Sequence, residues 1–184
     1  MPGHRIHIFG ASGAGTSTLG RALADALASQ HFDTDDFYWF PTDPPFCEKR
    51  PIPERRALMQ QVFLPRRDWV LSGSIDSWSD GIADRFTHAV FLELDTDLRM
   101  DRLRSREMLR FPAAPDPEER AAVDAFLDWA RHYDSGSQPG RSRPRHDAWM
   151  VHLACPVQRL DAAHPIPDLV TQVVGALDPG NGVH

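Results

Sequence analysis

The sequence predicts a three-layer α/β/α domain with a mainly parallel five-stranded sheet. Short β-favouring runs alternate with segments of helical periodicity along the chain, an order typical of this fold class. Two of the runs, residues 69–71 and 89–92, are apolar at every position, as in strands buried on both faces of a parallel sheet. The 184 residues suit one domain with one core. Ligands of such sheets bind beyond the carboxyl ends of the strands, so functional residues are expected in the segments that follow strands.

The first element is a β-favouring run over residues 5–9, which ends in a glycine-rich turn. Residues 16–27 then carry Leu19, Leu23 and Leu27 at intervals of four, which predicts a helix with an apolar face. The chain therefore passes from a strand through a glycine-rich turn directly into a helix.

A short second strand is expected around residues 31–34, followed by a proline-rich stretch. Five prolines between positions 41 and 53 exclude a helix there. Helical spacing resumes over residues 54–63, and strands are expected at 69–71 and 89–92. The segments 10–17, 35–36 and 72–74 all follow predicted strands, so we expect them to meet at one edge of the sheet.

The second half of the chain predicts four helices and one more strand. Asp95 is placed to cap a helix that runs to Arg110, and three prolines interrupt the chain at 111–117. An amphipathic helix is expected over residues 118–133, followed by a polar loop at 134–144. A helix at 146–154, a strand at 157–160 and a helix at 167–177 complete the prediction, with a frayed tail beyond.

Composition and charge exclude several classes of function. The net charge of −6 argues against a protein that binds nucleic acid through bulk positive charge. No apolar run approaches the roughly 20 residues that cross a bilayer, so no membrane partner is expected. The two cysteines, Cys47 and Cys155, are too few and too distant for a disulfide framework, which predicts a cytoplasmic protein. The nine histidines show no zinc-binding spacing.

The glycine-rich turn has the spacing of a phosphate-binding loop, with two glycines five positions apart and a hydroxyl residue two positions further on. Backbone N–H groups in such a loop surround a polyphosphate, and the helix that follows adds its positive dipole end. Ser17 stands where the Mg²⁺-binding hydroxyl belongs, but Thr16 occupies the usual position of lysine. A glycine-rich turn that binds nothing is the alternative. The predicted loop comprises Gly10, Ala11, Ser12, Gly13, Ala14, Gly15, Thr16 and Ser17.

The candidates for the missing positive charge are Lys49, which is the only lysine among the 20 basic residues, or an arginine. Arginine binds phosphate or carboxylate with two parallel hydrogen bonds, although codon bias explains the enrichment as a whole equally well. A solvated helix face is the alternative for the clusters themselves. One stripe at helical spacing contains Arg99, Arg102, Arg106 and Arg110, and a second cluster contains Arg141, Arg143 and Arg145.

The segment after the second strand is predicted to bind the acceptor. Asp35 and Asp36 are candidates for holding Mg²⁺-bound water, for orienting a hydroxyl group or for acting as a general base, and a turn cap is the alternative for Asp36. The aromatic run at 37–39, which includes Trp39, suits stacking on a planar ring, with core packing as the alternative. Positive charge nearby, which suits an acceptor that already carries a phosphate, comes from Lys49, Arg50, Arg55 and Arg56, and Gly73 follows the third predicted strand.

Together these segments resemble the adenylate-kinase-like P-loop small-molecule kinases over residues 6–177. The motifs that carry the resemblance are residues 10–18, 35–39, 69–74, 102–110 and 141–143. The resemblance implies a nucleoside-monophosphate-kinase fold, ATP with Mg²⁺ as donor, and an acceptor region between the second and third strands. It adds Thr18 to the phosphate loop and places residues 162–164 along adenine.

The same resemblance implies that arginines from a lid surround the donor. Arg106 or Arg110 corresponds to the lid arginine, and Arg141 or Arg143 to later charge-stabilising arginines. We expect one domain over residues 1–178, an acceptor region at about 35–65, a short lid at about 106–120 and a flexible tail at 179–184. Ser72 departs from the pattern, because such kinases have an aspartate at that strand end.

These observations lead to two hypotheses about function. The first is an ATP-dependent kinase of a small hydroxyl- or phosphate-bearing metabolite, with a nucleotide among the candidates. The second is a nucleotide-binding protein without transferase activity, which has a regulatory or protein-contact role. The threonine at position 16 and the serine at position 72 motivate the second hypothesis. The oligomeric state is left open.

Overall fold

The computed structural model describes residues 3–43, 45–110 and 116–177. Its centre is a sheet of five parallel strands in the order β2-β3-β1-β4-β5. The predicted mainly parallel five-stranded sheet is therefore confirmed. The strands are β1 (Arg5–Gly10), β2 (His31–Asp33), β3 (Trp69–Ser72), β4 (His88–Glu93) and β5 (Val157–Asp161).

Seven helices connect and flank these strands in the described residues. The helices are α1 (Thr16–Ala26), α2 (Thr34–Tyr38), α3 (Ile52–Val62), α4 (Thr96–Arg110), α5 (Pro117–Arg131), α6 (Arg143–Met150) and α7 (Ile166–Leu177), with a single 3-10 turn at Ala83–Arg85. None of the described helices is long and apolar enough to cross a membrane.

Alternating side chains of the central strands build a core on each face of the sheet. Ile6 and Ile8 of β1 face one side, where they pack in a cluster with Leu19 of α1 and Val173 of α7. The next residue, Phe9, belongs to a cluster on the other side. Such two-sided burial explains why the strands appear in the sequence as continuous apolar runs. The three-layer α/β/α prediction is confirmed.

Side-chain caps set several helix boundaries. The Asp95 carboxylate accepts from the backbone N–H of Asp97 at 2.9 Å and so begins α4 as predicted. Ser142 caps α6, which therefore begins at Arg143 rather than at the predicted residue 146. The sequence prediction also missed the short helix α2, which begins where the Asp33 side chain accepts from the backbone N–H of Asp35 at 3.1 Å.

Two predicted segments fall partly or wholly outside the described residues. Of the predicted lid at about 106–120, residues 111–115 are not described; the flanking parts are the end of α4 and the start of α5. A capping box between Asp116 and Glu119 begins α5. The predicted flexible tail, residues 179–184, also lies outside the described part of the chain.

Candidate functional site

The carboxyl ends of β1, β2 and β3 bring the predicted loops together, as the sequence predicts. Ser17 of α1 donates to the Asp33 carboxylate at 2.5 Å, and Ser72 at the end of β3 donates to the same oxygen at 3.2 Å. Residues that are distant in sequence thus share one hydrogen-bonded cluster. This cluster is the centre of the candidate site.

The loop from Gly10 to Ser17 holds much of its backbone open for a ligand. Gly13 and Gly15 have φ angles of +83° and +93°, values that favour glycine because it lacks a Cβ. No hydrogen-bond acceptor among the described residues meets the N–H groups of Gly13, Gly15 or Thr16. Helix α1 also begins without a side-chain cap, so its first amides are open to an anion.

The other predicted loop residues have distinct placements. The Ala14 N–H donates to the Ala11 carbonyl at 3.1 Å, and both alanine side chains are buried. Ala11 and Ala14 therefore contribute to the shape of the loop through their backbone. Ser12 is half-buried, whereas Thr18 is exposed on the first turn of α1.

Asp33 is a candidate site residue that the sequence did not predict. Its carboxylate lies beside the Ser17 hydroxyl, and a hydroxyl with a carboxylate is the hard-oxygen donor pair that suits Mg²⁺ next to phosphate oxygens. On the far side, Ser72 also meets His31 Nε2 at 2.8 Å. Burial lowers the pKa of His31, so at neutral pH the imidazole adds no positive charge here.

The two predicted acids, Asp35 and Asp36, face different neighbours. Desolvation in the cleft, followed by repulsion from Asp33, raises the pKa of Asp35, while the Arg141 guanidinium acts in the opposite direction. The pKa of Asp36 is also raised, mainly by desolvation, and its electrostatic partners are Asp33 and His31. Of the two carboxyl groups, that of Asp35 therefore belongs to the side of the cleft that contains Arg141.

Arg141 reaches the phosphate loop from a distant part of the chain. Its Nη2 donates to the Ser12 hydroxyl at 2.9 Å, and its guanidinium lies over the Trp129 ring at 5.5 Å. Burial lowers the pKa of Arg141, and the Asp35 carboxylate is the largest opposing influence. An arginine remains protonated under such conditions, so it brings a positive charge to the mouth of the loop.

The other predicted arginines do not form one functional face. Arg99 is fully buried and donates to Asp134 at 2.8 Å, so it is a structural residue, and the prediction of a single charged stripe was wrong. Arg102 donates to the Ala162 carbonyl at 3.1 Å, in the segment that the resemblance places along adenine. Both residues are tied to backbone or side-chain groups of neighbouring elements.

The arginines at the end of α4 share a buried carboxylate. Arg106 pairs with Glu107 at 2.7 Å, and Arg110 lies 3.6 Å from the same side chain. Arg110 also lies over the Phe46 ring, which joins the base of the predicted lid to the acceptor region.

Arg143 is not in the loop that the sequence predicts. It begins α6, where it pairs with Glu93 and, at 3.1 Å, with Asp147. These two carboxylates hold it at the ends of β4 and α6, and its contacts do not include the phosphate loop. Its predicted catalytic role stays a prediction that these contacts do not favour.

The segment predicted to bind the acceptor folds back on itself. Trp39 pairs with Lys49 in an antiparallel bridge and contacts the rings of Tyr38 and Phe46 edge-on. Phe37 is buried in the core, so of the two alternatives for this residue, stacking on a ligand and core packing, the structure shows core packing. Trp39 is half-buried.

Two arginines of this region, Arg50 and Arg55, donate to backbone carbonyls, and Arg55 also lies over an aromatic ring. Arg50 donates from Nε to the Phe37 carbonyl at 3.2 Å. Arg55, one of the basic residues predicted to offer positive charge near the acceptor, is only 6% exposed and lies 3.7 Å above the Tyr38 ring. Its Nε donates to the Arg50 carbonyl, whereas no acceptor among the described residues meets its Nη atoms.

Gly73 marks the turn after β3, where the backbone passes close to α2. Its φ is +108°, and a Cβ at this position would lie 1.9 Å from Thr34 Oγ1. The next residue, Ser74, contacts His146 Nε2 at 2.8 Å, and Tyr133 contacts the other ring nitrogen at 2.8 Å. Burial lowers the pKa of His146 to about 4, so its imidazole is neutral at pH 7. The two hydrogen bonds of this imidazole link the segments that follow β3 and α5 to α6.

Solved structures with a similar fold include small-molecule kinases. A shikimate kinase from Bacteroides thetaiotaomicron has 18% identity and a TM-score of 0.58, with 95% of this chain and 98% of that chain covered. A gluconokinase from Sinorhizobium meliloti 1021 has 17% identity and a TM-score of 0.52, with 97% and 93% covered. A sugar kinase from Janibacter sp. HTCC2649 has 16% identity and a TM-score of 0.53, with both chains fully covered.

The molecule therefore has the P-loop kinase-like α/β fold. The predicted resemblance is confirmed at this level, and its narrower adenylate-kinase-like form stays a prediction. The sequence is 40% identical over 176 residues to "Uncharacterized protein YqaC" from Bacillus subtilis strain 168, a match that covers 94% of this chain and 96% of that protein. The chain belongs to the YqaC family. No family model matches the sequence.

Proposed function

We propose that the protein is an ATP-dependent phosphotransferase that acts on a small hydroxyl-bearing metabolite. The observation that carries the proposal is the Ser17–Asp33 pair next to the open amides of the loop, with Arg141 at the mouth of the loop and Asp35 on the acceptor side. The fold shared with shikimate, gluconate and sugar kinases supports the same class of reaction.

The donor phosphates of ATP would lie on the loop from Gly10 to Thr18. Open backbone amides and the N-terminus of α1 favour a polyanion there. Ser17 and Asp33 would hold Mg²⁺, because their oxygens are hard donors that already lie together. When bound, the ion neutralises charge on the phosphate oxygens.

On the acceptor side, Asp35 would orient the attacking hydroxyl group. Its raised pKa brings the carboxylate closer to the range of a useful general base. The hydroxyl oxygen forms the new bond to the terminal phosphorus, the bond from that phosphorus to the bridging oxygen breaks, and ADP leaves with the bonding electron pair. The hydroxyl proton passes to the Asp35 carboxylate and from there to solvent.

Arg55 favours an acceptor that carries an anionic group. The Arg55 side chain is largely buried, and its Nη atoms have no acceptor among the described residues, so they are available to an anionic ligand. A carboxylate or a phosphate ester of the substrate would supply two oxygens in matching geometry. Tyr38 and Trp78 hold the guanidinium plane from their ring faces.

Formation of ADP across an acceptor panel tests the proposal. The panel contains neutral polyols, hydroxy acids, phosphorylated sugars and nucleoside monophosphates. We expect turnover with an anionic class, and we expect Asp35→Asn to lower turnover by about 100-fold or more while Asp36→Asn stays within about threefold. Binding of ATP with no transfer to any member would contradict a kinase.

Variants of two adjacent arginines test the acceptor class. Arg55→Met should raise the acceptor KM by about tenfold or more and leave the affinity for ATP unchanged. Arg56→Met is the matched control, because Arg56 pairs with the exposed Asp80. Equal effects of the two variants would contradict an anion anchor at Arg55.

The second candidate function is nucleotide binding without transfer, and Thr16 favours it. The lysine normally found at this position follows the β- and γ-phosphates into the transition state. If the wild type binds ATP but is inert and Thr16→Lys gains transfer, the native protein is a binder. The predicted cytoplasmic location and the absence of a nucleic-acid partner stay predictions.

A further inference from the structure

We propose that Arg141 takes the part of the missing P-loop lysine and places its positive charge against the terminal phosphate of the bound nucleotide. The inference rests on the proposed function for its catalytic meaning, but the charge contact itself concerns nucleotide binding alone. It assigns one residue to a role that the sequence analysis leaves open among several arginines.

The position of the guanidinium is the first reason. Ser12 lies in the middle of the loop, between the two glycines of the motif, and Arg141 Nη2 lies 2.9 Å from its hydroxyl oxygen. The residues are 129 positions apart in sequence, so tertiary structure alone brings this charge to the loop. Ser12 directly precedes Gly13, whose N–H has no acceptor among the described residues.

The free charge of Arg141 is the second reason. No carboxylate in the described part of the chain lies within ion-pair distance of its guanidinium; the carboxylates of Asp35, Asp76 and Asp33 act on it only from further away. A partly desolvated cation without a direct counter-ion attracts an anionic ligand strongly. Arg141 therefore has positive charge available for an anionic ligand of the loop.

The rigid support of Arg141 is the third reason. Gly140, with a φ of +98°, turns the chain next to the Trp129 ring, and Trp129 Nε1 donates to the Pro139 carbonyl at 2.9 Å. Beyond the turn, the Arg143 N–H donates to the Tyr133 carbonyl at 2.8 Å. A donor that is held in place before the ligand arrives needs no reorganisation when charge develops.

The other predicted cations are already engaged with protein groups. Glu107 holds Arg106 and Arg110, and Glu93 with Asp147 holds Arg143. Lys49 lies 5.9 Å from the Tyr38 and Trp39 rings in the acceptor region. Arg102 is the remaining competitor near Gly15, but its Nη2 is bound to the Ala162 carbonyl.

A binding experiment with ATP and ADP tests the charge contact without reference to any acceptor. Because Arg141 is assigned to the terminal phosphate, Arg141→Ala should weaken Mg·ATP at least tenfold and Mg·ADP by less than about threefold, as measured by titration calorimetry. Arg104→Ala, which removes an exposed pair with Asp101, is the control for an arginine deletion. Equal loss of ATP and ADP affinity, or no loss of either, would overturn the inference.

A rescue experiment separates a donor role from an acceptor role. If Arg141 replaces lysine, Thr16→Lys in the Arg141→Ala background should raise the ratio of ATP affinity to ADP affinity at least tenfold. It should also recover any lost turnover by at least tenfold. The opposite result would be no rescue in a double variant whose melting temperature is unchanged, together with a raised acceptor KM in Arg141→Ala. That result would assign Arg141 to the acceptor and overturn the inference.

The two proposals fail in distinguishable ways. If no acceptor is phosphorylated, the proposed kinase fails while the ATP-against-ADP comparison still decides the role of Arg141. If the wild type transfers phosphate and Arg141→Ala transfers it equally well, the kinase stands and the role of Arg141 is refuted. Arg102→Ala should keep the preference for ATP over ADP. If Arg102→Ala loses this preference and Arg141→Ala keeps it, the charge belongs to Arg102 and the role of Arg141 is refuted.

Discussion

The buried Arg99 side chain should be one of the largest single contributors to stability at the junction of α4 and α5. It is fully buried and donates to the carbonyls of Leu94 and Ala130 at 3.3 Å each and to the Asp134 carboxylate at 2.8 Å. Asp134 stands at the start of the loop that leads to Arg141. The contact therefore links the packing of two helices to the position of a site residue.

The substitution Arg99→Met keeps most of the volume and removes all of these donors. A buried carbonyl left without a donor costs about 1–3 kcal/mol, and removal of one partner from a buried ion pair costs about 3–5 kcal/mol. The Asp134 side chain is 45% exposed, so water recovers part of the loss. We expect the free energy of unfolding to fall by about 3 kcal/mol.

Urea unfolding followed by tryptophan fluorescence measures this difference. Arg104→Met is the matched control, because its i,i+3 pair with Asp101 is exposed and should contribute less than about 0.5 kcal/mol. If the two variants have unfolding free energies within 1 kcal/mol of each other, Arg99 does not join the helices in the way its contacts indicate.

Three further predictions concern the site and the central strand. Asp33→Asn should weaken ATP binding at least tenfold with Mg²⁺ and leave Mg²⁺-free binding nearly unchanged in calorimetry; equal losses would exclude a metal role. Burial lowers the pKa of His7 to about 3, so stability should fall as the pH decreases from about 6.5 towards 3, and His7→Phe should reduce that slope in acid unfolding. Gly73→Ala should cost about 1–3 kcal/mol of unfolding free energy because its Cβ meets Thr34, whereas Gly175→Ala, with open space, should not destabilise.

The sheet was predictable because its central strands are short runs without polar interruption. The run at 69–71 and that at 89–92 are continuously buried, and burial on both faces leaves the same signature in any parallel sheet. The glycine spacing predicted the turn that follows β1, since a positive φ at Gly13 and Gly15 restricts those positions to glycine.

The end of β2 was less predictable. The strand is only three residues long, and its side chains are half-buried, so no apolar alternation marks where it ends. The sequence therefore predicted Asp35 and Asp36 as site residues and did not predict Asp33. An aspartate that ends a short strand and caps the following turn is the signal that could have found it.

Arginine partners could not be predicted from spacing. Helical periodicity places Arg99 and Arg102 on one face, but their partners, Asp134 and Ala162, lie 35 and 60 residues further along the chain. Tertiary contact decides which guanidinium is structural and which has charge available for a ligand. Arg141 at Ser12 is the extreme case, since nothing local indicates it.

The antiparallel bridge between Trp39 and Lys49 closes the acceptor segment at its base. The Phe40 N–H donates to the Glu48 carbonyl at 2.9 Å, and the Arg50 N–H donates to the Tyr38 carbonyl at 2.8 Å. A loop whose two ends are joined by backbone hydrogen bonds can change in length and sequence between them while the β-sheet keeps its register. Changes between residues 41 and 47, whether natural or engineered, should therefore alter the predicted acceptor side of the cleft without disturbing the phosphate loop.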